Sequence, residues 1–188
     1  MLTRDQVLDR ALELITKEGL RRFSVSELGL RLGVVKSALY HHFPGGKAEI
    51  VKEVFGREEN RVLEAMEEAL NSAATTRDKL CALALAKIVL VRELGRLYRI
   101  REEIADELEG FLVSRRIDFL RRERNLIASV IQEGIEKKQL RPVNANLLAV
   151  ALQGALQNLS RTYAVEGQPL KSEEVESLID CLLEGIKA

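Results

Sequence analysis

The stretch Ser24 to Phe43, SVSELGLRLGVVKSALYHHF, constrains the fold more than any other part of the chain. It divides at Gly33. Before it, Val25, Leu28 and Leu32 recur at helical spacing and make one inward face; after it, a second short helix is predicted from about Val35 to His42, stopped by Phe43-Pro44-Gly45-Gly46. A three- or four-residue turn between helices needs a residue comfortable at positive φ, which glycine is. Ser24-Val25-Ser26-Glu27 has the form of a capping box, in which hydroxyl and carboxylate satisfy orphan N–H groups at a helix start.

A helix should precede this pair. Thr3-Arg4-Asp5-Gln6 forms another capping box, Val7, Leu8, Ala11, Leu14 and Ile15 follow at helical spacing, and Gly19 supplies the stop. Lys47 opens a longer amphipathic helix through Ile50, Val54, Val62, Met66 and Leu70. Beyond Thr76 the predicted helices lengthen. Asp78–Tyr98 is apolar nearly all round and reads as a buried central helix. Arg99–Glu109 is a more polar helix, Ser114–Gln139 a long one, and Asn144–Val165 follows the break at Pro142. After Gly167-Gln168-Pro169, Ser172 caps a last helix with a stripe of Val175, Leu178, Ile179, Leu182, Leu183 and Ile186. Leu, Ala, Glu, Lys and Arg dominate, and with 4% aromatic residues, no Trp and three Pro the composition is all-α. At 188 residues there is material for one domain of ordinary size and a small appended one. The division expected is 1–47 and 48–188.

Net charge is zero, yet it is unevenly spread. Residues 1–47 hold eight Lys or Arg against five Asp or Glu, leaving 21 against 24 for the remainder; from Arg21 to Lys47 the count is five to one. Positive charge therefore collects on the helix pair, as a phosphate-binding footprint requires. Cys81 and Cys181 sit in apolar helical patterns without CxxC spacing, so two reduced core residues are expected and no zinc site. The apolar window Leu80–Val91 is too short to span a bilayer and contains Lys87. A cytoplasmic protein that does not enter a membrane, without a cofactor, is the expectation.

The segment GLRRFSVSELGLRLGVVKSALYHHFPGGKAEI is similar to the helix-turn-helix of the tetracycline-repressor (TetR) family: a Gly ending the first helix, a Ser or Thr capping the second, a Gly-Val turn, Leu-Tyr-His-x-Phe, then a Lys opening the fourth. EGIEKKQLRPVNANLLAVALQGALQNL also resembles a helix connection in that family's C-terminal part. The resemblance implies a three-helix DNA-binding domain joined by the fourth helix to a helical sensor domain, which dimerises through its last two helices. Val35 departs from the pattern, which has Ser or Thr there to cap the recognition helix and touch phosphate. Such a cap contributes roughly 0.5–2 kcal/mol.

A recognition helix presents its N-terminal side chains to base edges in the major groove. Lys36 can reach guanine O6 or N7, Ser37 can donate or accept, and Ala38 offers a methyl to thymine. Tyr40, His42 and Lys47 match family positions that contact phosphate, as does the helix start at Ser24; His41 is grouped with them. Leu39 and Phe43 should point inward. A metal on His41 and His42 is disfavoured, because adjacent helical residues diverge by about 100°.

In the sensor part, Lys87 shares a helix face with Leu80, Leu83, Ala84, Leu90, Val91 and Leu94, where an ammonium needs a partner. An anionic ligand is one choice; a snorkelling side chain or an internal pair with a Glu is the favoured one. Tyr98, Gln153, Gln157 and Arg161 are further ligand candidates, equally readable as surface or dimer-rim residues. Arg115, Arg116, Arg121, Arg122 and Arg124 invite a second nucleic-acid patch, but the interspersed Asp118 and Glu123 favour an ion-paired face. Ala151, Gly154 and Ala155, with Leu178 and Leu182, allow two copies to approach as a four-helix bundle.

The resulting expectation is a ligand-responsive regulator, a repressor binding a palindromic operator as a homodimer and released by a small apolar or amphipathic effector. A DNA-binding dimer controlled by a partner protein, or acting architecturally, is the alternative. No Ser-His-Asp, metal or phosphate-loop constellation supports an enzyme.

Overall fold

The computed structural model describes residues 2–93 and 106–186, and among them there are eight helices and no strand. They are α1 (Arg4–Glu18), α2 (Val25–Leu32), α3 (Lys36–His42), α4 (Gly46–Asn71), α5 (Thr76–Glu93), α6 (Asp106–Glu136), α7 (Ala145–Val165) and α8 (Ser172–Glu184). Among the described residues, one compact unit takes those up to Asn60 and those within Glu93–Ile117; the other takes Arg61–Arg92 and those from Asp118 onward.

The first unit is built around α1–α3 and the start of α4. Its caps follow the sequence at Thr3, whose Oγ1 accepts from the Gln6 N–H at 3.2 Å while Gln6 Oε1 accepts from the Thr3 N–H at 2.9 Å. At Ser24 only half of the expected box forms. Ser24 Oγ accepts from the Glu27 N–H at 3.1 Å, but the Glu27 carboxylate turns outward to take the Arg31 guanidinium at 2.7 Å. A charged donor one helical turn on competes better than a backbone N–H. Val7, Ala11, Ile15, Leu28, Leu39, Phe43, Ile50 and Val54 are fully buried in one apolar cluster, so Leu39 and Phe43 do point inward.

The second unit packs α5, α6, α7 and α8 with the later part of α4. Its core includes Val62, Leu63, Met66, Leu80, Leu83, Ile127, Ile131, Leu152, Leu156 and Ile179. Thr75 caps α5, its Oγ1 accepting from the Asp78 N–H at 3.1 Å, and Asn144 Oδ1 caps α7 through the Leu147 N–H at 3.0 Å. The last helix starts differently from expectation. Ser172 is its first residue, and the N–H of Lys171 before it donates to Glu174 Oε2 at 2.8 Å. A separate helix at Arg99–Glu109 is not found in the described part: residues 94–105 lie outside it, and Asp106 onward already belongs to α6. Gly110 costs a helix only about 1 kcal/mol and does not break one that packing supports. Cys81 is buried, but Cys181 is exposed, because Val175 and Ile179 set the inward face of α8. No described helix is long and apolar enough to cross a membrane.

Candidate nucleic-acid interface

The turn between α2 and α3 sets the geometry of the site. Gly33 takes the left-handed conformation, φ 68° and ψ 30°, and the Val34 N–H donates to the Gly29 carbonyl at 3.0 Å. Gly29 is the second requirement of this turn and was missed in the sequence. A Cβ there would sit 2.9 Å from the Val34 carbonyl oxygen and 3.5 Å from Leu39 Cδ1, so only glycine lets the turn and α3 close onto α2.

With Leu39 and Phe43 buried, the opposite side of α3 is turned to solvent. Lys36 and Ser37 are exposed, Ala38 is half-buried, and Val35, 70% exposed, stands at the N-cap without a side-chain cap. The Lys36 ammonium lies 5.6 Å from the centre of the Tyr40 ring, within range of a cation–π attraction. That ring in turn rests on Gly46, φ 60°, where a Cβ would approach Tyr40 Cε1 to 3.0 Å. Lys36, Tyr40 and Gly46 thus form a short stack that holds the tyrosine 40% exposed beside the residues expected to read bases.

The other expected phosphate contacts are placed as follows. Ser24 is half-buried at the start of α2, with its hydroxyl engaged as the cap. His41 is exposed and His42 half-buried; their rings lie 5.8 Å apart and nearly perpendicular, and among the described residues no group of three metal-ligating side chains forms. Lys47 is turned partly inward, its ammonium donating to the Leu20 carbonyl at 2.9 Å, and burial pushes its pKa below the usual lysine range. Arg31 is committed to Glu27 and Glu18. Arg21 and Arg22, in contrast, are exposed and make no ion pair among the described residues. They were not singled out in the sequence, although an arginine pair just before a helix cap was available as a signal for phosphate contact.

Arg4 was also missed. Its guanidinium donates to the main-chain carbonyl of His42, pairs with Glu49 and Glu53, and lies 4.2 Å from the centre of the Phe43 ring. A cation at the open carbonyl end of α3 offsets the negative end of the helix dipole.

Of the residues expected to meet a ligand, Lys87 and Gln153 come together on Glu123. Lys87 Nζ donates to Glu123 Oε1 at 2.5 Å, and Gln153 Nε2 donates to Glu123 Oε2 at 2.9 Å and to the Leu120 carbonyl at 2.8 Å. The internal pair with a glutamate is therefore the one formed, with Glu123 fully buried. Gln157 and Arg161 are exposed on α7, Arg161 donating to Asn158 Oδ1 at 2.9 Å, and Tyr98 lies outside the described residues. An apolar cavity lined by Leu80, Ile131, Leu148, Leu152, Ile179, Leu182 and Leu183 encloses about 10 Å³, about one water-sized probe. Leu182 lines this cavity and is half-buried; of the α8 stripe, Val175 and Ile179 are buried, while Leu183 and Ile186 are half-buried as well. Leu178 and Ala155 are half-buried, and Ala151 and Gly154 are exposed, with nothing within 4 Å of a Cβ at Gly154. Of the α6 arginines, Arg121 pairs with Asp118 at 2.9 Å as expected and Arg115 with Glu59 at 3.1 Å, whereas Glu123, expected on the same ion-paired face, is buried against Lys87.

A glycine-closed helix pair, a polar and basic exposed face on its second helix, and an appended helical unit define a helix-turn-helix regulator of transcription. Residues 7–54 match the family described as bacterial regulatory proteins, tetR family. Over 96% of its length it is 24% identical to the fatty acid metabolism regulator protein of Bacillus subtilis, covering 94% of that protein. Over 82% it is 26% identical to the nucleoid occlusion factor SlmA of Vibrio cholerae, covering 80% of it. The crystal structure of the TetR family transcriptional regulator PfmR from Thermus thermophilus is similar over 98% of this chain and all of that one, with 26% identity and a TM-score of 0.68.

Proposed function

We propose that the chain is a homodimeric, cytoplasmic repressor that binds a palindromic operator and is released by a small apolar or amphipathic effector. Residues 1–47 are the DNA-binding domain in this reading and residues 48–188 the sensing and dimerising one. The exposed face of α3 carries the reading: Lys36 and Ser37 project from the first turn of a helix whose opposite side is locked by Leu39 and Phe43. Ala38 completes the base-reading set, while Ser24, Tyr40, His41, His42 and Lys47, joined by Arg21 and Arg22, hold phosphates.

The effector class follows the relative named for fatty acid metabolism: an acyl chain suits the apolar interior of the second unit. The cavity lined by Leu80, Ile131 and Leu182, about 10 Å³, is too small for such a chain, so an acyl ligand entering there would have to part the helices around it. A ligand that binds only a rearranged conformation has a large differential affinity, and it lowers operator affinity by the same factor. Lys87 and Gln153 would then be met by the ligand's polar end, with Tyr98, Gln157 and Arg161 as further candidates.

The test is fluorescence anisotropy of the full chain on a duplex that it selects from a random pool, with fatty acids and their coenzyme A thioesters added. Tight binding to the selected duplex and its loss with an acyl compound is the result expected; Lys36→Ala should relax preference at one position by about 1–3 kcal/mol. The likeness to a nucleoid occlusion factor favours one second reading, a DNA-bound dimer controlled by a protein partner. Binding to the duplex that no acyl compound alters would select it.

A further inference from the structure

Val35 stands at the N-cap of α3 without a hydroxyl to cap it, yet the helix start is well formed. The Val35 backbone is extended, φ −72° and ψ 148°, and its carbonyl accepts from the Ala38 N–H at 3.0 Å. Its side chain is therefore not needed to begin the helix and has no donor with which to hold a phosphate. It is nonetheless 70% exposed, an apolar branched group beside exposed Lys36 and Ser37.

We propose that Val35 is a specificity-determining residue whose isopropyl group packs against the C5-methyl of a thymine in the major groove. The inference rests on the DNA-binding reading above and adds a reader to it. The N-terminal side chains of a recognition helix are those that meet base edges, and the thymine methyl is the apolar feature there. Valine is suited to it, because its β-branch restricts χ1 and little rotamer freedom remains to be lost on contact. Ala38, assigned the methyl contact from the sequence, is half-buried and projects less.

The experiment uses the full chain and the duplex it selects from a random pool. Each thymine is replaced in turn by deoxyuridine, which lacks only the methyl, and affinities are measured for the unaltered chain, Val35→Ala and Val35→Ser. One position in each half-site should weaken the unaltered chain about fourfold when the methyl is removed, the worth of one methyl-sized contact. Val35→Ala and Val35→Ser should no longer distinguish thymine from deoxyuridine there, while thermal unfolding of both variants stays near that of the unaltered chain. Two results overturn the proposal: no thymine at which methyl removal matters, or Val35→Ala still discriminating at the position that does. Uniformly tighter binding by Val35→Ser with methyl sensitivity intact likewise reduces position 35 to an uncapped helix start. A chain that enriches no sequence overturns the DNA-binding reading as well, so the two failures are told apart.

Discussion

The guanidinium of Arg4, in the first turn of α1, donates to the main-chain carbonyl of His42, the last residue of α3. One side chain thus ties the beginning of the DNA-binding unit to the end of its recognition helix, reaching Glu49 and Glu53 of α4 as well. Arg4→Ala removes the carbonyl contact and the stacking over Phe43; the ion pairs, about half exposed, contribute little. Urea unfolding should register a loss of about 1–2 kcal/mol, and operator affinity should fall although no DNA contact has been removed. Arg4→Lys should recover only part of it, since an ammonium cannot bridge carbonyl, two carboxylates and ring together.

Two glycines in the turn should respond differently to alanine. At Gly33 nothing lies within 4 Å of a Cβ, and the cost is that of a left-handed alanine, about 1 kcal/mol. At Gly29 the new Cβ meets the Val34 backbone carbonyl at 2.9 Å, so α3 must move away from α2, at about 1–3 kcal/mol. Gly29→Ala should therefore be the more harmful in denaturant unfolding, and DNA binding should fall further with it than with Gly33→Ala. Equal effects would mean that the turn conformation, not the helix crossing, sets the site.

Lys87, Glu123 and Gln153 form a buried polar cluster inside an otherwise apolar unit. Lys87→Met leaves the fully buried Glu123 without its cation and should destabilise by about 3–5 kcal/mol. The double variant Lys87→Met with Glu123→Leu removes both charges and should return most of that loss. Chemical denaturation of the three proteins gives the coupling directly, and a double variant worse than the single one would show that the pair stabilises beyond its own desolvation.

What could be read in the sequence follows from how local the physics is. The box at Thr3, the stop at Gly33 and the inward Leu39 and Phe43 depend on residues within a turn or two, and they are found as read. The missing cap at Val35 was legible for the same reason. Glu123 as the partner of Lys87 was not, because the two are 36 residues apart and any glutamate on a facing helix would have served. Gly29 is silent in sequence since its role arises only where α2 and α3 cross. The stripe on α8 announces an apolar face without saying what it meets: Val175 and Ile179 are buried in their own unit, and Leu178, Leu182, Leu183 and Ile186 are only half-buried.

The expected dimer contact, on α7 and α8, has two faces that variants can separate. Leu182→Glu puts a carboxylate against Leu80, Ile131 and Ile179 and should destabilise the second unit, whatever the oligomeric state. The more open face for a second copy runs along α7, where Leu147 is 66% and Val150 45% exposed, Ala151 and Gly154 are exposed, and Val165 is 82% exposed. An apolar helix face with open space over a glycine is suited to close helix–helix approach. Ala151→Glu should accordingly leave the unfolding midpoint of the dilute chain near that of the parent while converting it to monomer in sedimentation velocity. Operator affinity should fall with it, because two half-sites then lose their linkage. A chain that stays dimeric with Ala151→Glu but becomes monomeric with a folded Leu178→Glu would place the contact on α8 instead.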